Sequence, residues 1–241
     1  MSLRLDGFEG RVAFVTGGAQ GIGRCIAETF RDLGAHSVAG DLRPPDIEGV
    51  LGVEIDVTQE ASVDAAFARI EATLGPVSLL VLNAGILHKA PLEELALSDW
   101  QRVVDVNLTG PYLCARRAMG RMREAGYGRV VIVGSSAGIN GAGAAPPPLA
   151  AYAASKAGAM TLAKSIAGEY APFGITANAL APTLIDTGML STLSADFRSV
   201  IPVGRYGTPT DVADLAAFLC SAHAGYITGE VVDINGGYLM D

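Results

Sequence analysis

The chain has 241 residues, 50% of them hydrophobic and 17% charged, a composition that buries a large core and excludes a disordered chain. Seventeen basic against 25 acidic residues leave a formal charge of −8, which opposes a nucleic-acid or anionic-membrane role and leaves a small-molecule substrate as the expected partner. No apolar run approaches a membrane span, Arg4, Asp6 and Glu9 stand where a signal core would be, and Cys25, Cys114 and Cys220 lie far apart; a cytoplasmic protein is expected. With His36, His88 and His223 dispersed as well, no metal site is expected.

Apolar, β-branched runs alternate with helical patterns along the chain. A strand at 12–16 leads to a helix at 21–33, then strands at 37–41 and 50–55, a helix at 59–74 and a strand at 77–82. A long helix at 98–125 precedes a strand at 129–133, a helix at 151–171, a strand at 175–180, a helix at 210–221 and a last strand at 231–234. The alternation predicts an α/β fold: a single-domain Rossmann-like, doubly wound parallel sheet of about seven strands with helices on both faces. Strands such as Leu79-Leu80-Val81-Leu82 are apolar on both faces, as a covered parallel sheet requires. No repeat or linker divides residues 1–241, and the stretch from Gly138 to Pro148, with three consecutive prolines, reads as a loop.

Thr16-Gly17-Gly18-Ala19-Gln20-Gly21-Ile22-Gly23 stands between the first strand and the first helix, where missing side chains let backbone N–H groups approach a pyrophosphate. A glycine triple alone is equally a tight turn; the strand–helix context makes it a dinucleotide candidate. Asp41 closes the second strand 18 residues beyond Gly23, where an acid accepts from an adenosine ribose diol and repels a 2′-phosphate. NAD is therefore favoured over NADP, although Arg43 could offset the repulsion. Tyr152 and Lys156 share a helix face at i, i+4. A phenol used as acid/base near neutrality must titrate well below its ordinary ~10, and a fixed ammonium supplies part of that shift.

These motifs, with Asn83-Ala84-Gly85, Ser135, Asp56-Val57, Asn107, Pro182 to Thr187, Ile227-Thr228-Gly229 and Asn235-Gly236-Gly237, resemble the short-chain dehydrogenase/reductase family across essentially the whole chain. The resemblance implies a catalytic set of Tyr152 as general acid/base, Lys156 on the nicotinamide ribose, Ser135 on the substrate oxygen with Ser136 as its competitor, and Asn107 on a water leading to Lys156. It places Gly17, Gln20, Gly21, Ile22 and Gly23 at the pyrophosphate, Asp41 at the adenosine ribose and Asp56 and Val57 at the adenine. Asn83, Ala84 and Gly85 then run beside the cofactor, with Tyr152 and Lys156 also touching it, and Pro182, Ile185 and Thr187 meet the carboxamide end. Leu82 departs from a common Asn and Thr183 from a common Gly.

The resemblance further implies a substrate lid at about 183–200, including Leu184, Met189, Leu190 and Leu193, and a pocket rim at 138–150. It implies a homotetramer packed through the helices at 98–125 and 151–171, with Ala157, Gly158 and Ala163 as small contact faces. The leading expectation is hydride transfer between NAD(H) and a secondary alcohol or ketone such as a polyol, sugar or hydroxyacyl compound. One alternative is an NADPH-dependent 3-oxoacyl-[acyl-carrier-protein] reductase; another is a non-catalytic dinucleotide-binding sensor. The run Arg116, Arg117, Arg121 and Arg123 could dock an acidic carrier or form a solvated helix face. Gly126 and Phe173, where carrier-dependent reductases tend to be basic, count against an acyl carrier protein partner.

Overall fold

Val12–Thr16, buried throughout, form β1 near the middle of a seven-stranded sheet in the computed structural model, which describes residues 5–141, 148–188 and 197–240. The strand order is β3 (Leu51–Glu54), β2 (His36–Asp41), β1, β4 (Val77–Leu82), β5 (Gly128–Val133), β6 (Ile175–Pro182), β7 (Val231–Ile234). Every neighbouring pair is parallel. Chain direction across the sheet reverses between β1 and β4, so a crevice opens at their carboxyl ends.

The period-two alternation of strand side chains divides the core. Phe14, Leu80 and Ile132 face α2 (Glu60–Leu74), α4 (Gly110–Ala125) and α6 (Ala150–Tyr170), with Phe14 edge-on to Phe67 at 5.3 Å. Val15, Val81 and Val131 face α1 (Gly21–Asp32) and α7 (Pro209–Cys220). Thr208 caps α7: its side chain accepts from the Asp211 N–H at 3.2 Å, and Asp211 Oδ2 accepts from the Thr208 N–H at 2.7 Å. Arg205 grips the same carboxylate at 2.7 and 2.9 Å and, with the Thr208 bonds, holds its pKa far below the usual range.

Three expectations change. The helix expected at 98–125 is α3 (Leu97–Val104), a π-helical turn Asp105–Thr109, and then α4. The wide turn carries Asn107 inward to 1% exposure, and Gly110 follows because a Cβ there would stand 2.8 Å from Val57 Cγ2. The loop expected from Gly138 begins instead inside a helical turn, α5 (Ala137–Asn140), while residues 142–147 of that rim and 189–196 of the expected lid lie outside the described residues. The small faces assigned to subunit packing are partly used within the chain: Ala163 is fully buried, and a Cβ on Gly158 would meet Leu108 at 3.0 Å.

The arginine run on α4 resolves into local pairs. Arg116 bonds Glu60, Arg117 binds Glu71 through two bonds of 2.9 and 2.7 Å, Arg121 meets Glu124 at 2.9 Å, and Arg123 lies 4.3 Å from the Phe173 ring centre. Among the described residues no helix is long and apolar enough to cross a membrane.

Candidate active site

A cavity of about 670 Å³ occupies the crevice. At its floor the chain leaves β1 through Gly17 and Gly21, both left-handed with φ of +65° and +55°. A Cβ on Gly17 would stand 2.8 Å from Ala84 Cα, and one on Gly23 would run into the Gly17 carbonyl and Asn83 Nδ2. Asn83 clamps this loop from the end of β4, donating to the carbonyls of Thr16 at 3.1 Å and Gly17 at 3.0 Å. Thr16 Oγ1 answers by accepting from the N–H groups of Asn83 and Ala84 at 3.1 and 3.2 Å. Gln20 makes no side-chain cap, so the first N–H donors of the 12-residue α1 remain available to an anion.

One end of the cavity is acidic. Asp41, at the tip of β2, accepts from the Ala19 N–H at 3.2 Å and the Leu42 N–H at 2.8 Å, one bond per oxygen, which fixes the carboxylate and leaves lone pairs for further donors. Leu42, Ile55, Asp56 and Val57 complete this end; Asp56 Oδ1 is held by the Thr58 N–H and hydroxyl at 2.9 and 2.7 Å. Arg43 is exposed and does not line the cavity.

The other end is built on α6, where Tyr152 and Lys156 lie one turn apart. Lys156 is 5% exposed, donates from Nζ to the Val133 carbonyl at 2.7 Å and is brought by burial to a pKa of about 8. Tyr152 is hydrogen-bonded to Ser135, whose Oγ also accepts from the Ala137 N–H at 3.2 Å. The phenol is partly exposed at the cavity wall, yet enough protein surrounds it that desolvation raises its pKa, with the Ser135 bond offsetting only part. The sequence reading expected the opposite direction. The reason is geometric: Nζ is turned to Val133 and stands 5.9 Å from the Tyr152 ring centre. Of the two serines, Ser135 takes the bond to Tyr152, while Ser136 uses its N–H on the Pro182 carbonyl at 3.2 Å.

Every sequence-predicted site residue lines this cavity except two, which stand behind its wall. Gly23 supports the glycine loop. Asn107 accepts from the Ile86 N–H at 2.8 Å and donates to the Ile86 carbonyl and to Ser155 Oγ, both at 3.0 Å. Ser155 Oγ in turn donates to the Tyr152 carbonyl at 2.8 Å. Sequence reasoning passed over Ser155, although its i, i+3 spacing from Tyr152 was available. At the lid side Ile185 bridges Gly207, and Thr187 Cγ2 comes within 3.6 Å of the place a Gly21 Cβ would take. Thr183 Oγ1, at the departure after Pro182, is buried without a hydrogen-bond partner, and Leu184 has a φ of +51°.

A family model described as "Enoyl-(Acyl carrier protein) reductase" matches residues 17–239. The cis-4-hydroxycyclohexanecarboxylate dehydrogenase of Sinomonas cyclohexanicum is 39% identical over 248 residues, spanning 97% of this chain and 98% of that protein. The chain belongs to the short-chain dehydrogenase/reductase family. As a member it is an oxidoreductase acting on CH–OH or keto groups with a nicotinamide dinucleotide. Another relative, the 3-oxoacyl-[acyl-carrier-protein] reductase FabG of Escherichia coli K12, is 37% identical over 245 residues, covering 97% of this chain and 99% of its own. The solved structure of levodione reductase superposes with a TM-score of 0.88 at 32% identity, covering 96% of this chain and 98% of that one.

Proposed function

We propose that this family member is an NAD(H)-dependent dehydrogenase interconverting a secondary alcohol and its ketone. The observation that carries the reading is one cavity with the fixed Asp41 carboxylate at one end and the Ser135–Tyr152 pair above Lys156 at the other. The cradle fits a dinucleotide, since the loop at Gly17 to Gly23 closes on Ala84 and Asn83 only without Cβ atoms. When bound, the nicotinamide supplies the hydride acceptor or donor.

The chain's own residues do the rest. Gly17, Gln20, Gly21, Ile22 and Gly23 present backbone to the pyrophosphate; Asp41 accepts from the adenosine ribose; Asp56 and Val57 flank the adenine. Asn83, Ala84 and Gly85 line the path between the two ends, and Pro182, Ile185 and Thr187 receive the carboxamide. In oxidation Tyr152 Oη would take the proton of the substrate hydroxyl and Ser135 would hold the substrate oxygen. Lys156 binds the nicotinamide ribose, and its ammonium would favour the phenolate only on turning from the Val133 carbonyl towards Tyr152. A Cβ on Gly85 would crowd Lys156 Nζ at 3.2 Å and Asn107 Oδ1 at 3.3 Å, so the glycine lets both polar groups approach the same stretch of backbone, and a water joining them would lead the proton out.

The 37% identity to FabG favours carrier-linked 3-oxoacyl reduction as the second reading. The pairing of Arg116, Arg117 and Arg121 with carboxylates leaves that helix face a weaker attraction for an acidic carrier. Tyr152→Phe tests the catalytic reading: turnover of any accepted alcohol falls about a hundred-fold or more while NADH still binds. Undiminished turnover would show that Tyr152 is not the acid/base. NADH binding without turnover of any alcohol or ketone by the unaltered protein would support the sensor.

A further inference from the structure

Beyond Tyr152 the cavity is walled by Ile86, Leu87, Ala137, Leu149, Phe197 and Tyr238. Two of these are anchored from outside the catalytic set. The Phe197 N–H donates to Tyr206 Oη at 2.8 Å. Tyr238 sits in a turn organised by Asn235, which accepts from the Tyr238 N–H through its carbonyl at 3.0 Å, accepts from the Gly237 N–H through Oδ1 at 2.8 Å, and donates to the Leu239 carbonyl at 2.8 Å.

The charge distribution decides what such a wall accepts. Among the described lining residues the charged groups are Asp41 and Asp56 at the adenosine end and Lys156 beneath Tyr152, with no Arg or His. His88, Lys89 and Arg198 adjoin wall residues in sequence but do not line the cavity, and His88 Nε2 lies 3.8 Å from Asp99 Oδ2. Past Ser135 and Tyr152, the polar side chains among the described lining residues are Ser136, Asn140, Thr183 and Tyr238, and Thr183 Oγ1 is itself buried. A carboxylate placed here would be desolvated without a cation, and polyol hydroxyls turned towards Ile86, Leu87, Ala137, Leu149 or Phe197 would lose water without gaining a partner.

Resting on the dehydrogenase reading, we infer that the substrate is an uncharged, mainly apolar secondary alcohol or ketone, of which a substituted cyclohexanol is the model, and that carboxylate-bearing and polyhydroxylated analogues are rejected. The wall thereby narrows the substrate class further than the proton-transfer residues do. It also separates this chain from its 39%-identical relative, whose name carries a carboxylate.

The test measures kcat/KM with saturating NAD⁺ for 4-methylcyclohexanol, cis-4-hydroxycyclohexanecarboxylate and xylitol, alongside an NADH titration of the same sample. The neutral cyclohexanol is expected to exceed each of the others by about ten- to a hundred-fold. Leu87→Arg is expected to shift the ratio towards the carboxylate by about ten-fold, because it adds the missing cation. Equal or better turnover of the carboxylate or of xylitol overturns the inference and leaves the dehydrogenase reading standing. No turnover of the three while NADH binds overturns both.

Discussion

Lys156 is pulled in two directions, because the burial that positions its ammonium also lowers its pKa to about 8. Below that value Nζ is a cation able to hold a ribose hydroxyl; above it the attraction and one donor proton are lost. NADH affinity should therefore weaken as pH rises through about 8, and Lys156→Gln should flatten the profile, as titrations from about pH 6.5 to about 9.5 would show. A wild-type profile flat across that window would remove Lys156 from cofactor binding. Tyr152 and Lys156 share a helix face by their spacing, which alone is common by chance; the surrounding family motifs made the pair legible as a candidate site. The upward shift of the phenol was not legible, since it comes from burial by the folded chain, with Nζ turned to Val133, a contact 23 residues away in sequence. Asn107 was legible as a polar residue among Val103, Val104, Val106 and Leu108, but its bonds to Ile86 and Ser155 needed the fold.

At the scale of elements, the seven strands were readable because each is a short apolar run ended by Gly, Pro or polar residues. The π-turn was not, since one extra residue in a helical turn leaves the same apolar residues in almost the same order. The cap of α7 shows how local the determinants of an element can be: Thr208 and Asp211 satisfy each other's N–H groups, and Pro209 needs none. Thr208→Ala should cost about 1 kcal/mol, read as a lower urea midpoint at unchanged slope. An unchanged midpoint would mean that the Arg205–Asp211 pair alone holds the helix start.

Across the whole molecule, strand order does what no single motif can. Placing β1 between β2 and β4 brings the glycine loop, Asp41, Asn83, Ser135 and Pro182 to one edge of the sheet. Alternating strands and helices announced that edge, and the family resemblance supplied the cofactor residues expected along it. They did not announce the wall of Leu87, Leu149, Phe197 and Tyr238, because those side chains meet only when the loops and the end of the chain fold over the edge. The same assembly fixes the charge at the end of the cavity proposed for the adenosine: a carboxylate held by two backbone N–H groups, within a chain of net charge −8. A ribose 2′-phosphate against Asp41 should cost about 1 to 3 kcal/mol, about ten-fold to over a hundred-fold in affinity. Titration of the purified protein with NADH and with NADPH at matched ionic strength measures this directly. NADH is predicted to bind tighter by that factor; equal or tighter binding of NADPH would mean that Arg43 captures the phosphate, contradicting the assignment of Asp41 and moving carrier-linked reduction to first place.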